Sequence, residues 1–255
     1  MNFAGKVVLV TGASRGIGAA IARAFAAEQA TVAVNYLRNG EAANEVVQEC
    51  RLAGGDAFAV QADVTQPAEV ARLVERTVDE AGRIDVLVNN AFRPYAFDPE
   101  QRTTFGELTW ADYEAQFTGS VGAAYNLCRA VLPHFRQRAQ GSIVNIVSNL
   151  VQNPVVPYHD YTTAKSALVG FSRNLAAELG PLGVRVNCVA PGLVYPTEGS
   201  GGTRAQFRDQ LMAATPLRRL ARPEDVAGPV LFLASPWSGF VTGQVLFVDG
   251  GLVMQ

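Results

Sequence analysis

The stretch Thr11-Gly12-Ala13-Ser14-Arg15-Gly16-Ile17-Gly18 follows directly on the apolar run Val7–Val10. It precedes a helix-like recurrence of Ile21, Phe25 and the alanines around them. A buried strand, a glycine turn and a helix start together present bare backbone N–H groups where a phosphate can sit. Gly12 permits the tight turn, Gly16 lets the backbone approach a ligand, and Gly18 lets the helix pack on the strand. The first gap is longer than in G-x-G-x-x-G, which leaves room for the side chains of Ser14 and Arg15. An ordinary strand-to-helix turn is the alternative. Position and flanks favour a cofactor's seat.

Strand-like runs rich in Val, Ile and Leu lie at about 6–11, 31–36, 56–60, 85–89, 142–147, 184–190 and 244–248, with helical patterns between them. They lack polar–apolar alternation, as expected when helices cover both faces of a parallel sheet. The expectation is α/β: one doubly wound, Rossmann-type parallel sheet forming a single domain over residues 1–255. Two irregular segments follow strand ends, Phe92 to Trp110 and Leu193 to Thr203, the latter leading into a short helix to about Ala214. Loops at such places wall or cover pockets, so a substrate loop or lid is expected at about 193–214.

Composition narrows the function classes. Hydrophobic residues make up 49% and charged residues 17% of the 255, which describes a soluble globular chain with no span of transmembrane length. With no signal peptide in view and Cys50, Cys128 and Cys188 far apart, a cytoplasmic protein with reduced, buried thiols is expected. A net charge of −2 argues against nucleic acid, and His134 and His159 alone do not make a metal cluster. Of 21 basic residues the only lysines are Lys6 and Lys165, so Lys165 marks a place where a compact ammonium is preferred to a guanidinium.

Dinucleotide sites that take NAD place a carboxylate at the end of the second strand, against the ribose 2′-hydroxyl. Here that end reads Asn35-Tyr36-Leu37-Arg38, with no carboxylate. Arg38, together with Arg15, offers charge-assisted donors for a 2′-phosphate, which predicts NADP(H). Farther on, Tyr161 and Lys165 are four residues apart and share one face of a predicted helix. A nearby ammonium is expected to lower the phenol's pKa from near ~10 toward the working range. Ser148, thirteen residues upstream, closes the apolar strand Ile143–Val147 and can meet the same carbonyl oxygen. A tyrosine and lysine that merely start an amphipathic helix are the plainer alternative.

Taken with Asp63-Val64, Asn89-Asn90-Ala91, Pro191-Gly192 and Val241-Thr242-Gly243-Gln244 to Asp249-Gly250-Gly251, these pieces resemble the classical short-chain dehydrogenase/reductase family over nearly the whole chain. The resemblance is nearest to the 3-oxoacyl-carrier-protein reductase branch. It implies that Tyr161 is the catalytic acid/base, that Ser148 polarises a carbonyl, and that Lys165 binds the nicotinamide ribose and tunes the phenol. Asp63 and Val64 are expected at the adenine, Asn90 and Ala91 along the cofactor, and Pro191, Gly192 and Val194 at the nicotinamide. With Gly12, Ser14, Arg15, Gly16, Ile17, Gly18, Tyr36 and Arg38, and with Tyr161 and Lys165 themselves, they make up the expected NADP(H) site; no metal is expected.

The pattern departs from the family at two places. Phe92 stands where a glycine is usual after Asn89-Asn90-Ala91, and the asparagine that completes the family's catalytic tetrad falls on Ser120, beyond a longer loop. The implied activity is NADPH-dependent reduction of a ketone, with a 3-oxoacyl thioester, free or bound to a carrier protein, as leading substrate. The rivals are another small ketone or alcohol, and a low-turnover NADP(H)-binding sensor or scaffold. Phe240-Val241 and Leu246–Val248 are too apolar for a free edge, so a homotetramer or homodimer is expected.

Overall fold

The computed structural model describes residues 1–254. Strands β1 (Val7–Val10), β2 (Thr31–Tyr36), β3 (Asp56–Gln61), β4 (Val86–Asn89), β5 (Gly141–Ile146), β6 (Val184–Pro191) and β7 (Val245–Val248) form one sheet. Their order is β3-β2-β1-β4-β5-β6-β7 and every pairing is parallel. All strand expectations hold to within a residue or so, because continuous apolar runs of this length fit only a sheet covered on both faces. Chain order reverses between β1 and β4, which opens a crevice at the carboxyl ends of those strands.

Successive strand residues feed opposite layers. Val8 and Val10 pack with α1 (Gly16–Ala27), α2 (Gly40–Leu52) and α8 (Pro223–Ala234). Leu9 packs instead with α3 (Pro67–Ala81), α5 (Ala123–Arg138) and α6 (His159–Leu179). Helix starts and stops are local chemistry. Asn39 caps α2 by accepting from the Ala42 N–H at 3.0 Å, and Pro67 opens α3 while Gly82 ends it at φ +76°. Before α5, α4 (Trp110–Phe117) starts on a Thr109/Asp112 capping box and runs into a π turn over Thr118–Gly122. A short α7 (Ala205–Ala214) follows the irregular segment 193–204, as the sequence predicts. The edge strand β7 leaves Leu246 exposed, and Phe240 just before it is fully exposed.

A buried polar chain ties the sheet to α6. The Asn89 amide donates to Asn145 Oδ1 at 2.7 Å, Asn145 donates to Ser172 Oγ at 2.7 Å, and Ser172 donates to the Leu168 carbonyl at 2.6 Å. Asn145 and Ser172 have almost no exposure, so each lost partner leaves a polar group without water. Asn145→Ala is therefore expected to destabilise the protein by about 2–4 kcal/mol in urea unfolding. A loss below about 1 kcal/mol would mean that this chain does not hold α6 in place.

Candidate active site

The glycine turn between β1 and α1 is built from positions that only glycine suits. Gly12 and Gly16 adopt φ of +60° and +54°, the left-handed region. A Cβ on Gly18 would collide with the Gly12 carbonyl and come within 2.6 Å of Asn90 Nδ2. Polar side chains from other strands fix the turn. Asn90 Nδ2 donates to the Thr11 and Gly12 carbonyls at 2.9 and 3.1 Å, while the Asn90 and Ala91 N–H groups both donate to Thr11 Oγ1 at 3.0 Å. From β2, Asn35 Oδ1 accepts from the Gly12 N–H at 3.2 Å and its amide donates to the Ala62 carbonyl at 3.1 Å. Asn35 and Thr11 act here as supports that sequence reasoning did not single out. The signal for Asn35 was present, as the one amide within the apolar run Thr31–Tyr36.

The other residues expected along the cofactor border the same crevice in differing states. Tyr36 lies against Gly40 at the start of α2, and Arg38 is exposed with no ion pair among the described residues. The Arg15 guanidinium pairs with Glu198 of the 193–204 segment at 2.5 Å, both being exposed. Asp63 holds a turn, accepting from the Thr65 N–H at 2.9 Å and the Thr65 hydroxyl at 2.7 Å, beside buried Val64. At the end of β6, a Cβ on Gly192 would come within 2.9 Å of Asp249 Cβ, and its N–H donates to the Val248 carbonyl at 3.1 Å. Val194 is buried and bridges to Ala221. The cradle at the N-terminus of α1 fits a dinucleotide pyrophosphate, because Gly12, Gly16 and Gly18 put no Cβ over its backbone N–H groups.

The hydroxyls and the ammonium meet at the end of β5. Ser148 lies two residues beyond that strand, where its Oγ accepts from the Leu150 N–H at 3.3 Å. Tyr161 sits in the first turn of α6, its buried side chain close enough to the Ser148 hydroxyl to feel it. One turn on, Lys165 Nζ donates to the Ile146 carbonyl at 2.8 Å and lies 5.8 Å from the Tyr161 ring centroid. All three side chains are buried. Ser120 is buried too, in the π turn that packs on α6.

Burial sets the protonation states. It pushes the Tyr161 phenol above its usual range, and the neighbouring Ser148 hydroxyl only partly opposes this. Lys165 was expected to pull the phenol down; instead its own ammonium is lowered by burial to about 8. The physical reason is that spacing along a helix carries no information about desolvation. A protonated phenol beside a second hydroxyl is an acid ready to serve an oxygen that gains negative charge.

Over Tyr161 lies a cover of rings. Phe92, Tyr95 and Phe97 place theirs 6.1, 5.2 and 5.1 Å from its own, and Lys165 Nζ is 5.2 Å from the Phe92 ring. The irregular segments expected to wall a pocket are joined: the Phe97 N–H donates to the Gly199 carbonyl at 3.2 Å and Thr203 Oγ1 to the Phe97 carbonyl at 3.0 Å.

Residues 12–253 match the family model described as Enoyl-(Acyl carrier protein) reductase. The chain belongs to the short-chain dehydrogenase/reductase family. It is 39% identical over 252 residues to the 3-oxoacyl-[acyl-carrier-protein] reductase of Synechocystis sp., covering 98% of this chain and 97% of that one. It is 34% identical over 253 residues to the 7alpha-hydroxysteroid dehydrogenase of Escherichia coli, covering 98% and 95%. A solved structure of 7alpha-hydroxysteroid dehydrogenase complexed with NADH and 7-oxo glycochenodeoxycholic acid superposes at a TM-score of 0.90, with 34% identity and coverage of 100% and 96%. As a family member this chain is an oxidoreductase that works with a nicotinamide cofactor.

The cradle makes a prediction opposite to helix propensity. Gly→Ala inside a helix ordinarily stabilises by about 1 kcal/mol. At Gly18 the new Cβ meets backbone, so Gly18→Ala is expected to destabilise by about 1–3 kcal/mol in chemical unfolding. A stabilised variant would show that the turn is looser than described.

Proposed function

We propose that the protein is an NADP(H)-dependent reductase that converts a ketone to a secondary alcohol, with the whole chain acting as one unit in the cytoplasm. The observation that carries it is the gathering of buried Ser148, Tyr161 and Lys165 at the end of β5, with Lys165 bonded to the Ile146 carbonyl and 5.8 Å from the Tyr161 ring centroid. When bound, NADPH supplies a hydride to the carbonyl carbon. Ser148 and Tyr161 hydrogen-bond the carbonyl oxygen, and Tyr161 passes its proton to that oxygen as charge builds there. The ketone thus gains one hydride and one proton, leaving NADP⁺ and the alcohol. Lys165 holds the nicotinamide ribose, and Ser120, with a shorter reach than asparagine, holds a water on the path that restores the proton.

Tyr161→Phe is expected to lower kcat for ketone reduction by about 100-fold or more while NADPH still binds. Lys165 is charged below its pKa of about 8 and neutral above it, so kcat/KM for reduction is expected to fall as pH rises through about 8. Full turnover in the Tyr161→Phe variant would remove the phenol from its role; absence of turnover by the unaltered protein on every carbonyl would favour the sensor reading.

Preference for the 2′-phosphate is supported by the lack of a carboxylate at 35–38 and by exposed Arg38. Arg15 joins it once the phosphate displaces Glu198, an exchange that costs little because exposed pairs are weak. Arg15→Ala with Arg38→Ala is expected to weaken NADPH binding about tenfold or more and NADH hardly at all, measured by fluorescence titration. Glu198→Gln is expected to tighten NADPH alone. Equal losses for both cofactors in the double variant would contradict the preference.

A 3-oxoacyl thioester as substrate is supported by the resemblance in motifs and by the Synechocystis relative. A ketone on a ring is the second reading, favoured by the rings around Tyr161. We also infer that copies associate through the apolar edge at β7, where Phe240 and Leu246 are exposed, giving a dimer or tetramer.

A further inference from the structure

Both departures of the sequence from the family pattern lie against α6. Phe92, where a glycine is usual, has its ring centroid 5.2 Å from Lys165 Nζ and 6.1 Å from that of Tyr161, whose plane it meets at 67°. Ser120, where an asparagine is usual, lies in the π turn that packs on the same helix. Lys165 is 3% exposed and Phe92 39%, so the ring is the more outward of the two and shields the ammonium. An ammonium carries three donors, and only one finds an acceptor among the described residues, the Ile146 carbonyl. Ring faces supply what other attraction there is.

The backbone on either side of Phe92 is fixed. Just before it, the Ala91 N–H donates to Thr11 Oγ1 at 3.0 Å. Just after it, Arg93 presses on the π turn, where a Cβ on Gly119 would come within 2.7 Å of Arg93 Cβ. Other charges are held away from the ammonium. Lys6 pairs with Asp85, whereas Lys165 has no ion pair among the described residues. On α6, Asp160 is engaged by the Tyr95 hydroxyl at 2.9 Å, and burial keeps Tyr95 and Tyr161 protonated. From β6, burial pushes the Cys188 thiol up to about 11. The α4 carboxylates Asp112 and Glu114 are exposed and bonded to Thr109 and Trp110. The turns over 118–122 and 149–151 carry no titratable side chain.

We propose that Phe92 is a positioning residue that acts through Lys165: its ring holds the ammonium against the Ile146 carbonyl and keeps water from it. The ring acts in two opposed ways. Its face attracts the cation, most strongly where water is absent, and so favours the bound proton. Its bulk removes water and so disfavours that proton. A glycine at this position would do neither. The hold on the ammonium is a property of the protein without cofactor; its consequence for turnover rests on the proposed ketone reduction.

Because the only lysines are Lys6 and Lys165, the ammonium can be watched directly. Protein carrying lysine labelled with carbon-13 at Cε gives two signals, and Lys6→Arg assigns the one from Lys165. NMR titration without cofactor follows its midpoint in the wild type, Phe92→Ala, Phe92→Leu and Phe92→Tyr, with melting curves to verify folding. Phe92→Ala admits water and is expected to raise the midpoint from about 8 by about one pH unit or more. Phe92→Leu excludes water without offering a ring face and is expected to lower it by about half a unit or more. Phe92→Tyr keeps the face and is expected to stay within about 0.3 of the wild type. The alkaline fall in kcat/KM for ketone reduction, which reports the free enzyme, is expected to move with these midpoints. A midpoint unmoved in folded Phe92→Ala, or one in Phe92→Leu that equals or exceeds the wild type, overturns the assignment. Moved midpoints with an unmoved rate profile overturn it too. If no carbonyl turns over, the midpoints alone decide the hold on the ammonium, and the missing turnover counts separately against ketone reduction.

Discussion

A buried ammonium is among the hardest groups for a fold to accommodate, and the arrangement at the end of β5 depends on one. Lys165 is nearly fully buried, bonded to the Ile146 carbonyl, with the face of Phe92 beyond it. That bond joins the first turns of α6 to the strand end that carries Ser148 two residues later. Tyr161 is thereby placed against Ser148 without further adjustment. Lost solvation weakens the hold on the lysine's proton and strengthens the hold on the phenol's. One environment thus produces a labile cation and a firmly protonated acid.

The cofactor side follows a similar logic with neutral groups. The glycines of the turn have no side chains to hold its shape, so Thr11 within it and Asn35 and Asn90 from neighbouring segments hold it. Below them the chain Asn89–Asn145–Ser172 fixes α6 relative to the sheet. Buried polar groups of this kind are costly when unpaired and highly directional when paired. They set the separation between cradle and phenol more sharply than packing of valines can.

Much of this was legible in the chain. The strands stood out because a sheet covered on both sides needs unbroken apolar runs. The Tyr161/Lys165 face followed from helical periodicity, and Ser148 from its place after Ile143–Val147. What could not be read were contacts that join distant segments. No local pattern links Tyr95 to Asp160, Phe97 to Gly199 or Arg15 to Glu198, which lie on separate loops. The direction of the Tyr161 shift was equally hidden, since it is governed by how much water the fold removes. Asn35 was visible, but as an amide in an apolar strand it pointed to no particular partner.

Family membership assigns a nicotinamide-dependent oxidoreductase, and the proposed ketone reduction depends on where the Tyr161 phenol would lie against the bound cofactor. A crystal structure with NADP⁺ and a ketone bound tests that placement most directly. The carbonyl oxygen is expected within about 3 Å of both the Tyr161 and Ser148 hydroxyls, with the nicotinamide C4 about 3–3.5 Å from the carbonyl carbon. A nicotinamide seated in the crevice with its C4 turned away from Tyr161, or a ketone oxygen held by other groups, would contradict it.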